Sequence, residues 1–449
     1  MNDSSTAFDA VVIGLGQTGL SCARHLQRLG LRFAVTDNRE LPPQLAQFRK
    51  EFPHVTLATG RFDEELLANA REILLSPGIS LQEAAIARAL ARGTPVLGDV
   101  ELFCRTAAAP IVAVTGSNGK STVVSLVHAM ALKAGLASQL GGNIGTPVLD
   151  LLAAEQADLY VLELSSFQLE LTRSLNARAA AVLNISEDHM DRYDSLATYT
   201  QAKAAVYNGT GVMVINLDDP RVCAMREPQR TCIGFSKATP AGDNYGLQTI
   251  AGVTWLMRGR TRLIHAGELP LRGEHNYLNA LAALALGQAA GLPMPAMLDA
   301  LRSFEGLPHR CQRVRVLGGV DWINDSKGTN VGASCAAIES LAGDDNLILI
   351  AGGDGKGADF SPLIAAMKGR VRVVITLGRD GPAIARLLPP DMPHLPAQTM
   401  VEAVQHAADQ ARPGDTVLLS PACASFDMFT DYAERGRCFA AAVHALGDA

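Results

Sequence analysis

The turn at residues 115–122, with its two flanks, constrains the fold of this chain more than any other segment. An apolar, β-like run at residues 111–114 precedes it, and a helical pattern of apolar residues follows from Val123. This arrangement is typical of a nucleoside triphosphate site: a strand is followed by a glycine-rich turn, a Lys-Ser pair and a helix. Backbone N–H groups of the turn and the helix N-terminus then face the phosphates. The lysine of such a turn meets the β and γ oxygens, and the next hydroxyl is a ligand for Mg²⁺.

The turn departs from the standard Walker A spacing. That pattern requires a glycine at position 114, where this chain has Val114. The alternative is a turn that carries Gly-Lys-Ser by coincidence, and the flanking strand and helix patterns disfavour it. The segment therefore predicts an ATP site around Lys120 and Ser121.

A second glycine turn lies near the N-terminus. Residues 14–19 read Gly-Leu-Gly-Gln-Thr-Gly between a β-like run and a helical pattern, and Asp37 ends the next predicted strand. This spacing is typical of dinucleotide-binding folds, in which the acid binds a ribose. A glycine turn at a helix N-terminus stabilises any diphosphate, including that of a UDP-sugar, so the spacing leaves the ligand open. A purely structural turn that packs helix on strand is the other alternative.

Short β-branched runs alternate with helical patterns along most of the chain, which predicts α/β domains with helices covering parallel sheets. The chain has 449 residues, too many for one ordinary core. We predict three domains: a Rossmann-like domain at residues 1–98, a central P-loop ATPase-like parallel sheet at residues 99–307, and a second Rossmann-like domain at residues 308–449. Residues 231–272 predict short strands, and the apolar stretch at residues 280–292 predicts a buried helix.

The composition argues against several classes of protein. The net charge of −6 comes without a basic block, which argues against a nucleic-acid partner. The eight cysteines form no Cys-x-x-Cys pair and indicate reduced thiols in a cytoplasmic protein. Residues 1–9 are polar, so we expect no signal peptide. The longest apolar stretch is too short to cross a bilayer, so we expect no membrane insertion.

Polar residues follow two predicted strands of the central domain. Glu163 comes directly after one apolar run, and the segment at residues 186–191, which contains His189, follows the next. A carboxylate at the carboxyl end of a parallel strand, in the same domain as a phosphate-binding turn, is well placed to hold Mg²⁺ directly or through water. Glu187 and Asp188 could equally cap the start of a helix.

Together these segments resemble the Mur ligase family across essentially the whole chain. Besides the two glycine turns, the blocks that carry the resemblance are residues 76–79, 141–145, 163–168, 187–193, 203, 275–279, 309–310, 324–327, 352–356 and 420–427. Mur ligases and the related folylpolyglutamate synthetases share the nucleotide-binding turn and an Asn-x-x-Asn helix, which is residues 276–279 here. The Ser-Pro-Gly-Ile, Ser-Ser-Phe-Gln and Ser-Pro-Ala-Cys-Ala-Ser blocks point to the member that adds D-glutamate.

The resemblance implies ATP-dependent amide-bond formation in cytoplasmic peptidoglycan precursor synthesis. ATP phosphorylates the alanine carboxylate of UDP-N-acetylmuramoyl-L-alanine. The amine of D-glutamate then attacks the acyl phosphate through a tetrahedral intermediate, giving ADP and phosphate. The implied cofactors are ATP and two Mg²⁺ ions, the implied partners are these small-molecule substrates, and the enzyme is expected to be a monomer.

The resemblance implies catalytic roles for Lys120, His189 and Lys203. It implies four metal ligands, Ser121, Glu163, His189 and Lys203. By itself Lys203 would pass as an exposed helical lysine; the resemblance implies that it is carbamylated, since a carbamate offers oxygens to a cation and an ammonium does not. His189 could instead position or deprotonate the incoming amine.

Three groups of ligand contacts complete the site that the resemblance implies. The ATP contacts are Gly116, Ser117, Asn118, Gly119, Lys120, Ser121, Thr122, Asn279, Arg310 and Asp325. The UDP-substrate contacts are Gly14, Gly16, Gln17, Thr18, Gly19, Asp37, Asn38, Arg39, Ser76, Asn143, Ser165 and Gln168. The D-glutamate contacts are Lys327, Thr329, Lys356, Ser425 and Phe426.

Two other functions compete with the ligase. An NAD(P)-dependent oxidoreductase built on the N-terminal glycine turn would leave residues 119–121 and Glu163 without a role. A non-catalytic nucleotide-binding module is the second alternative. It is disfavoured because Glu163, His189 and Lys327 fall in separate α/β units, all at predicted loop edges, as converging catalytic loops do.

Overall fold

The computed structural model describes residues 8–153, 156–271, 273–341, 343 and 345–447. They form three sheets covered by helices, which confirms the predicted α/β class. The strands of the three sheets lie between residues 8 and 97, 111 and 265, and 312 and 419. The domain boundaries after residues 98 and 307 stay a prediction, and the expectation of no signal peptide falls mostly on residues 1–7, which lie outside the described residues.

The first sheet is parallel, with strand order β3-β2-β1-β4-β5. Its strands are β1 Phe8–Ile13, β2 Phe33–Thr36, β3 Thr56–Ala58, β4 Ala70–Leu75 and β5 Val96–Leu97. The accompanying helices are α1 Gln17–Arg28, α2 Leu45–Glu51, α3 Glu64–Ala68, α4 Ala84–Ala91 and α5 Asp99–Thr106. The central strand β1 is buried over its last four residues, so the turn that follows it opens at the carboxyl edge, where doubly wound sheets bind ligands.

The second sheet has nine strands in the order β14-β13-β12-β11-β10-β9-β6-β8-β7. The strands are β6 Ile111–Thr115, β7 Ser138–Gly142, β8 Leu159–Glu163, β9 Ala179–Val182, β10 Val212–Asn216, β11 Cys232–Phe235, β12 Tyr245–Ile250, β13 Val253–Arg258 and β14 Thr261–His265. The helices are α6 Lys120–Lys133, α7 Val148–Leu151, α8 Ser166–Glu170, α9 Leu196–Ala204, α10 Pro220–Cys223, α11 Glu274–Ala290 and α12 Met294–Ser303, with 3₁₀ turns at Ala205–Tyr207 and Ala266–Glu268.

This second sheet is parallel from β7 through β12 and antiparallel from β12 to β14. The prediction of a parallel central sheet is therefore incomplete. The reason is the loop between β12 and β13, which has only two residues. Both of them, Ala251 (φ 50°) and Gly252 (φ 79°), have the left-handed conformation of a tight hairpin turn. Such a short connection permits antiparallel pairing only.

The third sheet has the order β15-β16-β20-β17-β18-β19, parallel except for the β15–β16 pair. Its strands are β15 Gln312–Leu317, β16 Val320–Asn324, β17 Leu347–Gly352, β18 Val371–Leu377, β19 His394–Pro396 and β20 Thr416–Leu419. Its helices are α13 Val331–Leu341, α14 Ser361–Met367, α15 Gly381–Ala385, α16 Met400–Gln410 and α17 Tyr432–Ala445.

The predicted apolar helix at residues 280–292 corresponds to α11, whose residues 280–287 are buried in the core of the second sheet. It ends at Ala290 because Gly291 takes a left-handed conformation (φ 91°) as the C-cap. In the part of the chain that the structure describes, no helix has the length and apolarity that a membrane span requires.

Candidate active site

The nucleotide turn, residues 115–122, joins β6 to α6, and its lysine is hydrogen-bonded to the backbone of the same turn. Lys120 Nζ donates hydrogen bonds to the carbonyl oxygens of Gly116 (2.8 Å) and Ser117 (2.9 Å). Burial lowers the pKa of Lys120 from its ordinary value. Two backbone carbonyls therefore hold the lysine side chain against its own turn.

Glu163, at the end of β8, is 3% exposed. Ser121 Oγ donates to Glu163 Oε2 (2.6 Å), and Asn143 Nδ2 donates to Oε1 (2.8 Å). Burial alone would raise the pKa of Glu163, but the charge of Lys120 and these hydrogen bonds hold it below its usual value. Arg310, from the third domain, donates from Nη2 to Ser121 Oγ (2.7 Å). An ionised carboxylate and a hydroxyl therefore lie together, as Mg²⁺ prefers.

Lys203, on α9, is 2% exposed, so the sequence pattern alone is misleading at this position. Its Nζ donates to the carbonyl oxygen of Gly116 (2.9 Å) and to Thr115 Oγ1 (3.4 Å), and lies 4.6 Å from the centre of the Tyr199 ring. Burial, reinforced by the charge of Lys120, lowers the pKa of Lys203 well below its ordinary value. The lowered pKa favours the unprotonated, nucleophilic form of the Lys203 amine.

The segment after β9 carries Asp188 and His189 but starts no helix, because α9 begins only at Leu196. The capping alternative for Glu187 and Asp188 is therefore wrong. His189 has a φ of 58°, and its Nε2 lies 3.7 Å from Asp188 Oδ2. Burial lowers the pKa of His189, which favours the neutral imidazole that ligates metals or accepts protons.

A cleft of about 870 Å³ lies between the first and second domains. The implied UDP-substrate contacts that line it are Gly14, Gly16, Gln17, Thr18, Asn38, Arg39, Ser76, Asn143 and Gln168. Gly19 and Asp37 lie beneath the turn instead. Asp37, 1% exposed, accepts from Leu15 N (2.7 Å) and from Arg39 Nε (2.9 Å) and Nη2 (2.6 Å), so it anchors the turn and Arg39. Ser165 caps α8 through Gln168 and lines the neighbouring cleft.

A second cleft, of about 320 Å³, lies between the second and third domains. The implied ATP contacts that line it are Asn118, Gly119, Thr122, Asn279, Arg310 and Asp325. Burial raises the pKa of Asp325 to about 6, although its carboxylate accepts hydrogen bonds from Ser420 Oγ (2.7 Å) and Cys311 N (3.2 Å). Gly116 and Ser121 lie below the surface of the turn. They line neither this second cleft nor the third cleft, described next.

A third cleft, of about 420 Å³, connects the other two. It brings together Ser117, Lys120, Glu163, His189 and Lys203 of the central domain with all five implied D-glutamate contacts, Lys327, Thr329, Lys356, Ser425 and Phe426. It shares Asn143 and His189 with the first cleft, and Asn118 and Arg310 with the second. The three clefts therefore form one continuous path across the three domains.

The third-domain side of the path is cationic. Burial lowers the pKa of Lys327 to about 8, and its Nζ lies 3.8 Å from the centre of the Tyr432 ring. Lys356 Nζ lies 3.5 Å from Asp188 Oδ1 of the central domain. Ser425 is buried, whereas the Phe426 side chain is 72% exposed at the mouth. Two cations and a hydroxyl suit a ligand that carries two carboxylates.

Sequence reasoning missed Asn330 in the third cleft, and it did not identify Asp188 as a partner of Lys356. Asn330 follows the predicted contact Thr329 directly, which was the available signal. Across the described ranges, no cluster of three or more His, Cys, Asp or Glu side chains is arranged to hold a metal ion. The implied ligand set mixes a hydroxyl, a carboxylate, an imidazole and a modified lysine, so it is of a different kind.

The sequence matches three family profiles in order along the chain. They describe the Mur ligase MurD-like N-terminal domain at residues 8–98, the Mur ligase middle domain at residues 114–287, and the Mur ligase glutamate ligase domain at residues 309–423.

Two curated relatives are similar over almost their whole length. A UDP-N-acetylmuramoylalanine--D-glutamate ligase of Nitrosococcus oceani is 54% identical over 440 residues, covering 98% of this chain and 97% of the relative. One of Pseudomonas aeruginosa is 51% identical over 438 residues, covering 97% and 98%. Among solved structures, the UDP-N-acetylmuramate-alanine ligase of Thermotoga maritima superposes with a TM-score of 0.61 at 17% identity, covering 98% of this chain and 99% of that one, and shares the fold.

Proposed function

The chain belongs to the Mur ligase family, and from that premise we propose how its residues join D-glutamate to UDP-N-acetylmuramoyl-L-alanine at the expense of ATP. The reaction is ATP-dependent amide-bond formation in peptidoglycan precursor synthesis. One observation carries it: relatives at 54% and 51% identity over nearly the full chain are UDP-N-acetylmuramoylalanine--D-glutamate ligases. The oxidoreductase and the non-catalytic module are thereby set aside.

The three clefts suit the three substrates. We place the UDP moiety against the N-terminal turn, residues 14–19, with Arg39 beside it, and the alanine carboxylate near Asn143. ATP lies in the second cleft with its γ-phosphate over Lys120. The carboxylate attacks the γ-phosphorus, the bond to the β,γ-bridging oxygen breaks, and ADP leaves as the acyl phosphate forms. The lysine stabilises the charge that spreads over the transferring oxygens. To reach the phosphate, Lys120 Nζ exchanges the carbonyls of Gly116 and Ser117 for phosphate oxygens.

Ser121 and Glu163 fit a bound Mg²⁺, because a hydroxyl and an ionised carboxylate already lie 2.6 Å apart, and Glu163 lines the third cleft together with Lys120. When bound, the ion neutralises charge on the phosphoryl group. Asn143 holds the other carboxylate oxygen, so Glu163 is oriented by residues of the same pocket. Arg310 brings a third-domain cation to the same hydroxyl.

We propose that Lys203 is carbamylated and, with His189, serves a second Mg²⁺. The support is its environment: Lys203 is buried, its pKa is lowered, and its Nζ lies in the third cleft between the nucleotide turn and Tyr199. An unprotonated Nζ reacts with CO₂, and the resulting carbamate would place oxygens where Nζ now meets Gly116 O. His189 retains its alternative role of positioning or deprotonating the amine of D-glutamate.

We place D-glutamate against Lys327, Thr329, Lys356, Ser425 and Phe426. Its amine then faces the acyl phosphate, attack gives a tetrahedral intermediate, and phosphate leaves as the amide forms. We further propose a cytoplasmic monomer that takes only small-molecule substrates, because ATP and nucleotide-linked precursors are cytoplasmic. Domains at residues 1–98, 99–307 and 308–449 belong to the same proposal.

The decisive experiment measures phosphate release from ATP by the purified protein with Mg²⁺ and UDP-N-acetylmuramoyl-L-alanine. D-glutamate is compared with L-glutamate, L-alanine and a diamino acid as acceptor. We expect release that depends on D-glutamate alone. Release with a different amino acid would reassign the acceptor, and ATP binding without release for any acceptor would refute the ligase.

A further inference from the structure

We propose that Asn330 is a positioning residue that couples the nucleotide turn to the D-glutamate contacts of the third domain. Asn330 directly follows Thr329 and directly precedes α13. This inference rests on the proposed function, which places D-glutamate beside Thr329 and Lys356. It adds a residue that touches no substrate in that proposal.

The two ends of the Asn330 amide face different domains. Its Oδ1 accepts a hydrogen bond from Ala333 N (2.9 Å) and so caps the first turn of α13. With the oxygen committed to its own helix, Nδ2 faces the central domain. It donates to Asn118 Oδ1 (3.1 Å) and Asp188 Oδ2 (3.3 Å), and the Asn330 residue is 8% exposed.

Both acceptors belong to the reaction path. Asn118 lies in the nucleotide turn, and its orientation is fixed because its Nδ2 donates to Ser186 Oγ (3.3 Å) while Asn184 Oδ1 accepts from its backbone N–H (2.8 Å). Asp188 is also the partner of Lys356 (3.5 Å). One buried NH₂ group thus connects the ATP-binding turn with the loop that faces a D-glutamate contact.

The consequence concerns the third substrate. Thr329 is joined to Asn330 by one peptide bond, and α13 is capped by the same side chain. Without the two cross-domain hydrogen bonds, the third domain keeps its own structure, but Thr329 and Lys356 lose their fixed position over the nucleotide turn. Affinity for D-glutamate therefore depends on Asn330. Affinity for ATP depends on it less, because Lys120 and the rest of the nucleotide turn stay in place, and the UDP contacts of the first cleft do not depend on it.

The test variant is Asn330→Asp. Aspartate is as good a cap for α13 as asparagine, but it removes the NH₂ donor and places a carboxylate against Asp188. We expect the KM for D-glutamate to rise on the order of tenfold or more, as for loss of a hydrogen bond to a charged partner. By calorimetry, the Kd for UDP-N-acetylmuramoyl-L-alanine should stay within about twofold. The Kd for a non-hydrolysable ATP analogue should rise by a smaller factor than the KM for D-glutamate, because only one of the ATP contacts, Asn118, loses a hydrogen-bond partner.

Two further variants keep the test decisive. Asn330→Ser retains a capping residue without the added charge, so we expect a smaller rise in the same KM and an unchanged thermal midpoint. Asn346→Asp makes the same chemical change at a residue whose Oδ1 accepts from Gly343 N (2.7 Å) within the third domain, and we expect no change in KM.

An unchanged D-glutamate KM in both Asn330 variants would overturn the coupling. So would equal changes for all three substrates, which indicate a general structural role. If the proposed function itself is wrong, the result is different, because the unsubstituted enzyme then releases no phosphate with D-glutamate.

Discussion

The nucleotide turn and the N-terminal turn at residues 14–19 have a similar backbone arrangement, but different side chains surround them. Each follows a buried strand in the middle part of its sheet and leads into a helix. Each also contains a glycine that no larger residue could replace without movement. A Cβ at Gly19 would lie 1.8 Å from Gly14 O, and one at Gly119 would lie 2.4 Å from Asn279 Oδ1.

The difference lies in the charged side chains that neighbouring strands and helices place around each turn. Under the N-terminal turn, Asp37 and Arg39 pair with each other, so the turn presents one cation and a row of backbone groups. At the nucleotide turn, Lys120, Lys203 and Glu163 arrive from three separate elements and lie around one loop. A glycine pattern thus predicts a turn that can bind phosphate. Whether the turn can also support catalysis depends on side chains that come from distant parts of the sequence.

The largest test of this contrast is Lys120→Ala. We expect turnover to fall by at least about 10³-fold, because the charge on the transferring phosphoryl group loses its main protein cation. Binding of the UDP substrate, measured by calorimetry, should stay within about twofold, since the N-terminal turn is untouched. Lys133→Ala, at the exposed end of the same helix, is the control. Retained turnover would remove the role of Lys120.

Lys203→Ala should also inactivate the enzyme, and a short carboxylate such as acetate should partly restore turnover. Acetate can occupy the cavity of the lost side chain and supply the oxygens of the carbamate. Phosphate release across an acetate titration measures the rescue. Lys237→Ala, at an exposed lysine of the same domain, should be fully active without acetate. Full activity of the Lys203 variant would end the carbamate proposal.

Gly19→Ala tests the close approach in the N-terminal turn. The added methyl group would lie 1.8 Å from a carbonyl oxygen, so the helix must shift, at an expected loss of about 1–3 kcal/mol or more in the free energy of unfolding. Gly16→Ala is the matched control, because nothing lies within 4 Å of the added Cβ. Urea unfolding followed by fluorescence measures both. Equal stability of the two variants would contradict the packing role of Gly19.

The smallest expected effect is a pH dependence at Asp37. Burial alone would raise its pKa, but hydrogen bonds from Arg39 and Leu15 hold it below its usual value. A carboxylate with a lowered pKa stabilises the fold above its ordinary pKa of about 4, and this contribution is lost as the pH falls. The difference in unfolding free energy between the wild type and Asp37→Asn should therefore narrow from pH 7 towards pH 3. A constant difference would show that the charge of Asp37 does not matter.

Local patterns predicted the parts of the fold that depend on local sequence. The apolar runs became β1, β6 and β8, and the two glycine turns lie where they were expected. β7 was missed because its sequence, Ser-Gln-Leu-Gly-Gly, lacks β-branched residues, and β3 because it has only three residues. The antiparallel meander β12–β14 was predicted only as short strands, since two-residue turns decide strand direction.

Contacts between distant segments could not be predicted in this way. Lys203 looks like an exposed helical lysine, because nothing in the local sequence shows that α9 packs beneath a loop that lies about 87 residues earlier. The hydrogen bonds of Asn330 cross 142 and 212 residues of chain, and neither partner carries a pattern that indicates the other. Such residues need either a family resemblance or a three-dimensional structure.

Phe426 offers an exposed aromatic contact for an inhibitor of this site. Phe426 is 72% exposed beside the partly buried cations Lys327 and Lys356, which we propose as D-glutamate contacts, and Met428 nearby is 37% exposed. Covering an aromatic side chain of that kind is worth about 1.5–3 kcal/mol, which corresponds to roughly ten- to hundredfold in affinity. A compound that pairs two carboxylates with an aryl group would therefore combine selectivity from the cations with affinity from the ring, without resembling a nucleotide.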